Sequence, residues 1–427
     1  MANSGAAQSP QPSTQGQVPP GALFGVPKYG TQRRFVPDNQ NESLGAVPLA
    51  TSQVNVQTGR LDQLDIVAGI KQYINWSGTW TQAASTTLHQ SPFGVAAWLL
   101  SCNYKLQAAY NTFNLTGPLA SIIQAYRPMW GNRAATSIAS DPFASETKVT
   151  TAFTGGGTPD VLTGNFHVDI PFAVKFDEYF DLTAQGDPRA KLYDALVTPM
   201  YMAAQARVVT PTIVIAPALA AGDLLLGPVV KAVGDTTSTF TAGSWGVQLK
   251  RDAFWTANNP AANPPQYPWL YTRDYFTQPT QGQGKVGILI QNTGVSVGQV
   301  LSLFGFVWDP EANSGFGALV PFSSIASFEL VTGGSLQNLL LTPAAMEDRM
   351  YSRSPNLQNV AATANGAGGF VLDFALSQDG TMFTNAEAIN TYLVNGVQLN
   401  ITFNAGQAPS ASSTVYLGVE ALKLATS

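Results

Sequence analysis

Apolar residues in this chain come in short runs rather than helical stripes. The first part carries them at Tyr73–Trp80, Val95–Leu106, Phe166–Phe176, Val208–Ile215 and Phe240–Leu249. The second part carries them at Val286–Gln291, Val300–Trp308, Ser327–Val331, Phe370–Leu376, Val397–Phe403 and Thr414–Leu424. Many alternate with period two: Ile74, Trp76 and Trp80 oppose Tyr73, Asn75, Ser77, Thr79 and Thr81. That is the period of a half-buried strand. Helical signals are few. Asn385–Val394 has an asparagine cap and a stop at Asn395-Gly396, and residues 187–197 and 343–351 read as short helices.

Two stretches break the pattern. Residues 1–60 are rich in Gln, Ser, Pro and Gly, with one apolar knot at Ala22–Val26, so they are expected to form an extended arm that builds no core of its own. Residues 252–284 combine many prolines with Phe254, Trp255, Tyr267, Trp269, Tyr271, Tyr275 and Phe276. They are expected to be an irregular, packed connector, since prolines interrupt regular pairing and the aromatics need burial. The chain then divides into an arm (1–60), a β domain (61–251), a connector (252–284) and a second β domain (285–427).

The two β domains repeat each other weakly and in the same order. Pro92-Phe93 matches Pro321-Phe322, Phe166–Ile170 matches Phe370–Phe374, Leu192–Val197 matches Ile389–Val394, and Val247–Lys250 matches Glu420–Lys423. A repeat this long is a duplicated domain, not a solenoid. An all-β unit of this size with long loops suggests an eight-stranded jelly roll, and the whole chain two consecutive ones.

Composition sharpens this picture. Hydrophobic residues make up 45% of the 427 and charged residues only 11%, a shortage expected of a surface largely covered by neighbours. The net charge of −5 argues against strong nonspecific nucleic-acid binding by the body. The arm is different: no acidic residue precedes Asp38, while Lys28, Arg33 and Arg34 are present. With the apolar pair Leu23 and Phe24, these three form a candidate contact to an anionic inner surface, lipid phosphate or packaged genome. One cysteine, Cys102, excludes an intrachain disulfide. The opening residues have no apolar signal region, and Thr212–Val230, interrupted by Pro217, Asp223 and Pro228, reads as strand and loop rather than a membrane span. Synthesis and folding in a cytoplasm are therefore expected, and the sequons at Asn41, Asn75, Asn114 and Asn400 read as coincidence.

Gly69–Trp80 followed by Ser91-Pro92-Phe93-Gly94-Val95-Ala96 resembles the opening of the first barrel in double jelly-roll major capsid proteins. The family is that of tailless icosahedral phages with an internal membrane, the tectivirus type, in the lineage of adenovirus hexon. Its turn reads Phe-Gly-Pro-Ala, and Val95 stands here in place of the proline. The resemblance implies a virion coat protein that trimerises into pseudo-hexagonal capsomers. Its implied partners are neighbouring capsomers, penton or minor capsid proteins, and an internal membrane or genome met by the arm. It implies no catalytic residue, cofactor or metal. A carbohydrate- or receptor-binding β-sandwich is the alternative, and a glycoside hydrolase a more distant one.

Motifs that look chemical have simpler readings. Gly294-Val-Ser296-Val-Gly298 has the nucleophile-elbow pattern, but a strand follows it and both histidines, His89 and His167, lie upstream. Gly282-Gln-Gly284-Lys-Val-Gly287 opens onto a strand, whereas a dinucleotide fingerprint opens a helix. Asp177, Glu178 and Asp181 read as solvated loop carboxylates rather than a Ca²⁺ site or a glycosidase pair. Cys102, in an apolar strand, is expected to be buried and inert.

Overall fold

In the computed structural model, the described residues are 33–48, 54–57, 66–81, 88–93, 96–97, 99–106, 110–126, 159–171, 200–201, 209–215, 229–231, 244–256, 269–290, 298–333, 336–353, 368–374, 388–391, 393–394 and 396–424. The first half contributes β1 (Arg33–Pro48), β2 (Val54–Gln57), β3 (Ile66–Thr81), β4 (Leu88–Gln90), β5 (Leu99–Leu106), β6 (Tyr110–Leu115), helix α1 (Gly117–Tyr126), β7 (Pro159–Pro171), β8 (Met200–Tyr201), β9 (Val209–Ile215), β10 (Val229–Lys231) and β11 (Ser244–Thr256). The second contributes β12 (Trp269–Pro279), β13 (Lys285–Leu289), β14 (Gln299–Asp309), β15 (Ala318–Leu319), β16 (Ile325–Thr332), β17 (Leu336–Leu341), helix α2 (Pro343–Arg353), β18 (Phe370–Asp373), β19 (Ile389–Asn390), β20 (Gln398–Phe403) and β21 (Thr414–Leu424).

The pairing order repeats. In the first half β1-β11-β3-β7 form one sheet, β8 adds to β3, and β2-β9-β5-β6 form the other. In the second half β12, β21, β14 and β18 pair in that order, β19 adds to β14, and β13-β20-β16-β17 form the other sheet. Each strand of the first set thus has a counterpart in the second, and α1 and α2 follow counterpart strands. Two facing four-stranded sheets with this order, reached by crossing between them, are a jelly roll. The chain is an all-β protein of two consecutive eight-stranded jelly rolls.

The repeat seen in the sequence holds at the level of strands. Phe93 and Phe322 are both buried, each in a tight turn that leads into counterpart strands β5 and β16. Phe166 and Phe370 lie on counterparts β7 and β18. The residue-by-residue alignment does not hold throughout, however. Phe166 pairs through Ile74 to Leu249, and Phe370 pairs through Gly305 to Leu417. The sequence match had set Leu249 against Leu422, five residues further on. A five-residue offset also reverses which face a side chain takes, so both matches cannot be in register. The counterpart of β19 is β8, at Met200–Tyr201, not the run Leu192–Val197, which lies outside the described residues.

Strand pairing also corrects the expected limits. Residues 33–48 and 54–57, assigned to the arm, are β1 and β2, paired with β11 and β9. A strand added to a sheet needs main-chain pairing, not a core of its own, so polar composition did not exclude it. The connector was expected to be irregular, yet β11 runs on to Thr256 and β12 spans Trp269–Pro279 with an eleven-residue register against β21. The helix expected at 385–394 is instead the short strand β19 followed by one turn, in which the Val394 N–H donates to the Asn390 carbonyl at 3.2 Å. The helix expected at 343–351 is α2. The ends of the apolar stretch Thr212–Val230 fall in β9 and β10, and no helix among the described residues is long and apolar enough to cross a membrane.

Helix α1 was not foreseen. Thr116 caps it, its carbonyl accepting from the Ala120 N–H at 2.9 Å and its hydroxyl from the Leu119 N–H at 3.4 Å. All ten residues are buried, so no polar stripe gives the helix away. It packs against β5 and β7 of its own jelly roll and against β14, β18 and β21 of the other. Gly117 lets it start there: a Cβ would collide with the Ala96 carbonyl.

Phe93, from the first jelly roll, meets Phe306 at 4.9 Å and Trp308 at 6.5 Å between ring centroids in the second. Phe93→Ala is expected to destabilise the chain by about 3–5 kcal/mol, read as a lowered denaturant midpoint. Leu393→Ala, at a site 82% exposed, should stay within about 0.5 kcal/mol. Equal midpoints for the two variants would mean that the aromatic contact does not join the jelly rolls.

Candidate assembly interface

The described residues hold an inter-domain seam. Its backbone element is the parallel pairing of β6 with β12, where Phe113 stands opposite Arg273. Thus a strand that ends a sheet in the first jelly roll continues into a sheet of the second. Asn114 Nδ2 donates to Asp274 Oδ1 at 2.9 Å across the same junction.

β14 shows what the seam does to a strand. Its nine residues Val300–Trp308 are all buried. A jelly-roll strand ordinarily wets one face, so burial on both means that something covers the outside. Here the outer cover is α1 and the Phe93 turn. From Ser302 onward, alternation puts Ser302, Phe304, Phe306 and Trp308 on the face turned to the first jelly roll. Their neighbours on β21 are Glu420, Gly418, Tyr416 and Thr414. Phe306 stacks on Tyr416 at 5.0 Å and 13°. Gly418 leaves room for the Phe304 ring, which a Cβ would strike.

A buried ion pair lies on this same face. Arg273 is 3% exposed and Glu420 is fully buried. Arg273 donates from Nη2 at 3.0 Å and from Nε at 3.2 Å to Glu420 Oε1. The Tyr271 hydroxyl donates to the same oxygen, and Ser302 Oγ donates to Oε2 at 2.7 Å. Both carboxylate oxygens are therefore engaged, which a charge removed from water requires. The group ties β12, β21 and β14 together side by side.

At the rim, Asp309 closes the loop before β21. Its carboxylate accepts from Ser410 Oγ at 2.6 Å and from the backbone N–H groups of Ser410 and Glu311, both at 3.0 Å. Partial burial pushes its pKa up, but these hydrogen bonds outweigh that and hold it below the usual aspartate range. Glu329 is also held low, first by the hydrogen bond from Lys285 Nζ at 2.7 Å and then by that from Asn400 Nδ2 at 3.0 Å.

The structure disposes of the sequence candidates as follows. Leu23, Phe24 and Lys28 lie outside the described residues. Arg33 and Arg34 begin β1, opposite Thr256 and Trp255, so they sit at the end of a paired strand and not on a free arm. Residues 291–297, with the serine of the elbow-like motif, and Asp177, Glu178 and Asp181 are also outside. Gly282-Gln283-Gly284 forms the tight turn from β12 into β13, the Gln283 N–H donating to the Thr280 carbonyl at 3.1 Å. His89 and His167 fall on β4 and β7, and among the described residues no group of three or more His, Cys, Asp or Glu could hold a metal. Cys102 is fully buried, and burial pushes its thiol far above the usual range, which opposes thiolate formation. Two sequon asparagines, Asn114 and Asn400, are spent on the hydrogen bonds above. The seam itself escaped sequence reading, though the run Val300–Trp308, apolar but for Ser302 and Gly305, was a signal of two-sided burial.

No family model and no curated protein matches the chain. Solved structures do. The chain is similar to the major capsid protein of Sulfolobus Turreted Icosahedral Virus (STIV), with a TM-score of 0.53 at 10% identity, covering 92% of this chain and 97% of that one. It is also similar to the PBCV-1 virus capsid (TM-score 0.48, 11% identity, 94% and 98% covered) and to the mavirus major capsid protein (0.39, 10%, 99% and 93%). The STIV match supports the double jelly-roll fold. The viruses concerned include archaeal and eukaryotic ones, so the phage part of the expected resemblance is not specifically shown.

Two outcomes test the seam. Glu420→Gln removes the charge that faces Arg273 and should destabilise by about 3–5 kcal/mol, while Glu420→Gln with Arg273→Met should recover much of it. A single-variant loss under about 1 kcal/mol would rule out an essential pair. Because its folded pKa is depressed, Asp309 contributes stability that is present above the ordinary carboxylate range and is lost as pH falls through the folded value. Asp309→Asn should therefore flatten the acid limb of the stability–pH curve and leave its neutral slope unchanged. An unaltered acid limb would count against the Ser410 clamp.

Proposed function

We propose that this chain is the major capsid protein of an icosahedral virus, acting by assembly and not by catalysis. The observation that carries the reading is the duplicated jelly roll, which parallels the STIV major capsid protein over nearly the whole of both chains. The closed seam supports it: the two jelly rolls form one building block, which a shell subunit must be. The sparse charge, 11% of residues, suits a surface covered by neighbours. The working unit is a homotrimer, in which three copies contribute six barrels to a pseudo-hexagonal capsomer. Its place is the virion, after synthesis in the host cytoplasm, and the tectivirus-like opening at Gly69–Trp80 points to a bacterial host. Neighbouring capsomers and penton or minor capsid proteins are its partners.

The residues before β1 contact the inner, anionic side of the shell, whether membrane or genome. Leu23 and Phe24 anchor them, because burying two such side chains yields roughly 3–5 kcal/mol, while Lys28 among them, and Arg33 and Arg34 at the start of β1, each add about 1 kcal/mol at a charged surface. The limits of the arm follow the strands and end at residue 32.

The purified protein is expected to sediment as a trimer at micromolar concentration and to show six-lobed capsomers by electron microscopy; a stable monomer would refute the assembly reading. Leu23→Ser with Phe24→Ser should abolish closed shells while leaving folded trimers. Arg33→Gln with Arg34→Gln should only weaken assembly. The reverse ranking would make the arm an electrostatic contact.

A further inference from the structure

We infer that Lys285, Glu329 and Asn400 form a self-crosslinking site, at which the Lys285 amine displaces the side-chain amide nitrogen of Asn400 and leaves an isopeptide bond between β13 and β20. The inference goes beyond the coat-protein reading and is independent of it.

The three residues lie on one face of the sheet β13-β20-β16-β17. Val286, Ile288, Leu399, Ile401, Phe328 and Leu330 are buried on the other face, so alternation turns Lys285, Asn400 and Glu329 outward. Asn400, in the middle of β20, has Gly287 of β13 on one side and Glu329 of β16 on the other. Lys285 reaches across β20, its Nζ donating to Glu329 Oε2 at 2.7 Å. Asn400 Nδ2 donates to the same oxygen at 3.0 Å. One carboxylate oxygen thus gathers the nitrogen that attacks and the nitrogen that leaves. The other end of the amide is held as well, since Gln398 Nε2 donates to Asn400 Oδ1 at 2.6 Å. Gln337 Nε2 donates to Glu329 Oε1 at 3.2 Å and steadies the carboxylate. Gly287 leaves room for this arrangement, because a Cβ there would strike the Gln398 amide and crowd Asn400 Oδ1.

These are the parts that amide exchange needs: an amine, a carbonyl whose oxygen faces a donor, and a base within hydrogen-bond reach of both nitrogens. A plain surface ion pair needs only Lys285 and Glu329. The amide held between them at both of its ends is the additional observation. β13, β20, β16 and β17 carry no other charged residue that could compete for the amine.

Lys285 is 53% exposed, so its ammonium can give one proton to solvent. The neutral amine then attacks Asn400 Cγ, and negative charge collects on Oδ1 opposite Gln398 Nε2. Glu329 is ionised, its carboxyl held below the usual range first by the bond from Lys285 and then by that from Asn400. It takes a proton from Nζ and passes it to Nδ2. The Cγ–Nδ2 bond breaks and ammonia leaves. One C–N bond replaces another, so no oxidant, reductant or cofactor is consumed. The product joins positions 115 residues apart, and a link that closes so long a loop restricts the unfolded chain.

The full chain is to be digested with trypsin, as purified and after incubation at about pH 9, where a small share of ordinary lysine side chains is neutral. Lys285 should resist cleavage. Mass spectrometry should find a branched peptide that joins residues 274–349 to 354–423 and is lighter than the two together by one ammonia. Lys285→Arg, which keeps the charge, should give no branched peptide; ammonia lost through succinimides at other asparagines would persist in that variant and is thereby told apart. Glu329→Gln should slow the bond about a hundredfold, with near-ultraviolet circular dichroism showing that the variant is folded. If it does not fold, the wild-type peptide map and Lys285→Arg still decide. A wild-type chain whose Lys285 stays fully cleavable after incubation, or a folded Glu329→Gln variant that crosslinks at the wild-type rate, would overturn the assignment.

Discussion

A sheet that ends leaves a row of N–H and C=O groups with no strand to pair, and that constraint governs how this chain is built. Two jelly rolls side by side present several such ends. One is closed inside the chain, where β6 meets β12. The rest of the seam depends on that pairing. It brings α1 into contact with β14, β18 and β21, seats Phe93 against Phe306 and Trp308, and covers the outer face of β14. Without it α1 would expose a largely apolar surface.

The Arg273–Glu420 pair belongs to the same logic. As a source of stability a buried ion pair is doubtful, since desolvation opposes its attraction. Its value here lies in register. Arg273 stands on β12 between two partners, Phe113 on one side and Glu420 on the other. A slip of one residue along β21 would turn Arg273 from the seam toward the apolar interior lined by Leu303, Leu417 and Val419. The hydrogen bonds from Tyr271 and Ser302 to the carboxylate make the correct register the one in which every charge is matched. A strand bounded by prolines needs such a specification, because its flanks give little help.

What the sequence could show depended on how each element hides its neighbours. β21 was legible as a strand, because Thr414–Ala421 alternates between a jelly-roll interior and the seam. β14 was legible as a strand-length run that is apolar from Val300 to Trp308 but for Ser302 and Gly305. α1 was not, since burial on all sides erases the helical stripe by which helices are recognised. β12 was obscured by Pro260, Pro264, Pro265, Pro268 and Pro279, although its aromatics correctly indicated burial. β1 and β2 were obscured by polar composition, which speaks to core formation and is silent on main-chain pairing. The apparent helix at 385–394 shows the opposite error, in which local cap residues outvoted the pairing of β19 with β14. Of the candidate site residues, Arg33 and Arg34 could be placed by pairing, and the seam, built from residues such as Asn114 and Asp274 that lie 160 positions apart, could not be read from local patterns at all.

Fusing two like jelly rolls changes the balance between the contacts they make. A contact within one chain forms at an effective concentration set by the linker, while its counterpart between chains forms at the concentration of the protein. The internal seam can therefore be buried, aromatic and charge-matched, permanent once the chain has folded. The counterpart strand β17, Leu-Gln-Asn-Leu-Leu-Leu, pairs among the described residues with β16 alone. β6, joined to the other jelly roll at Phe113 and Asn114, and β17, with Leu336 and Leu340 exposed, hold the same place in their sheets, and only the first is drawn into the seam.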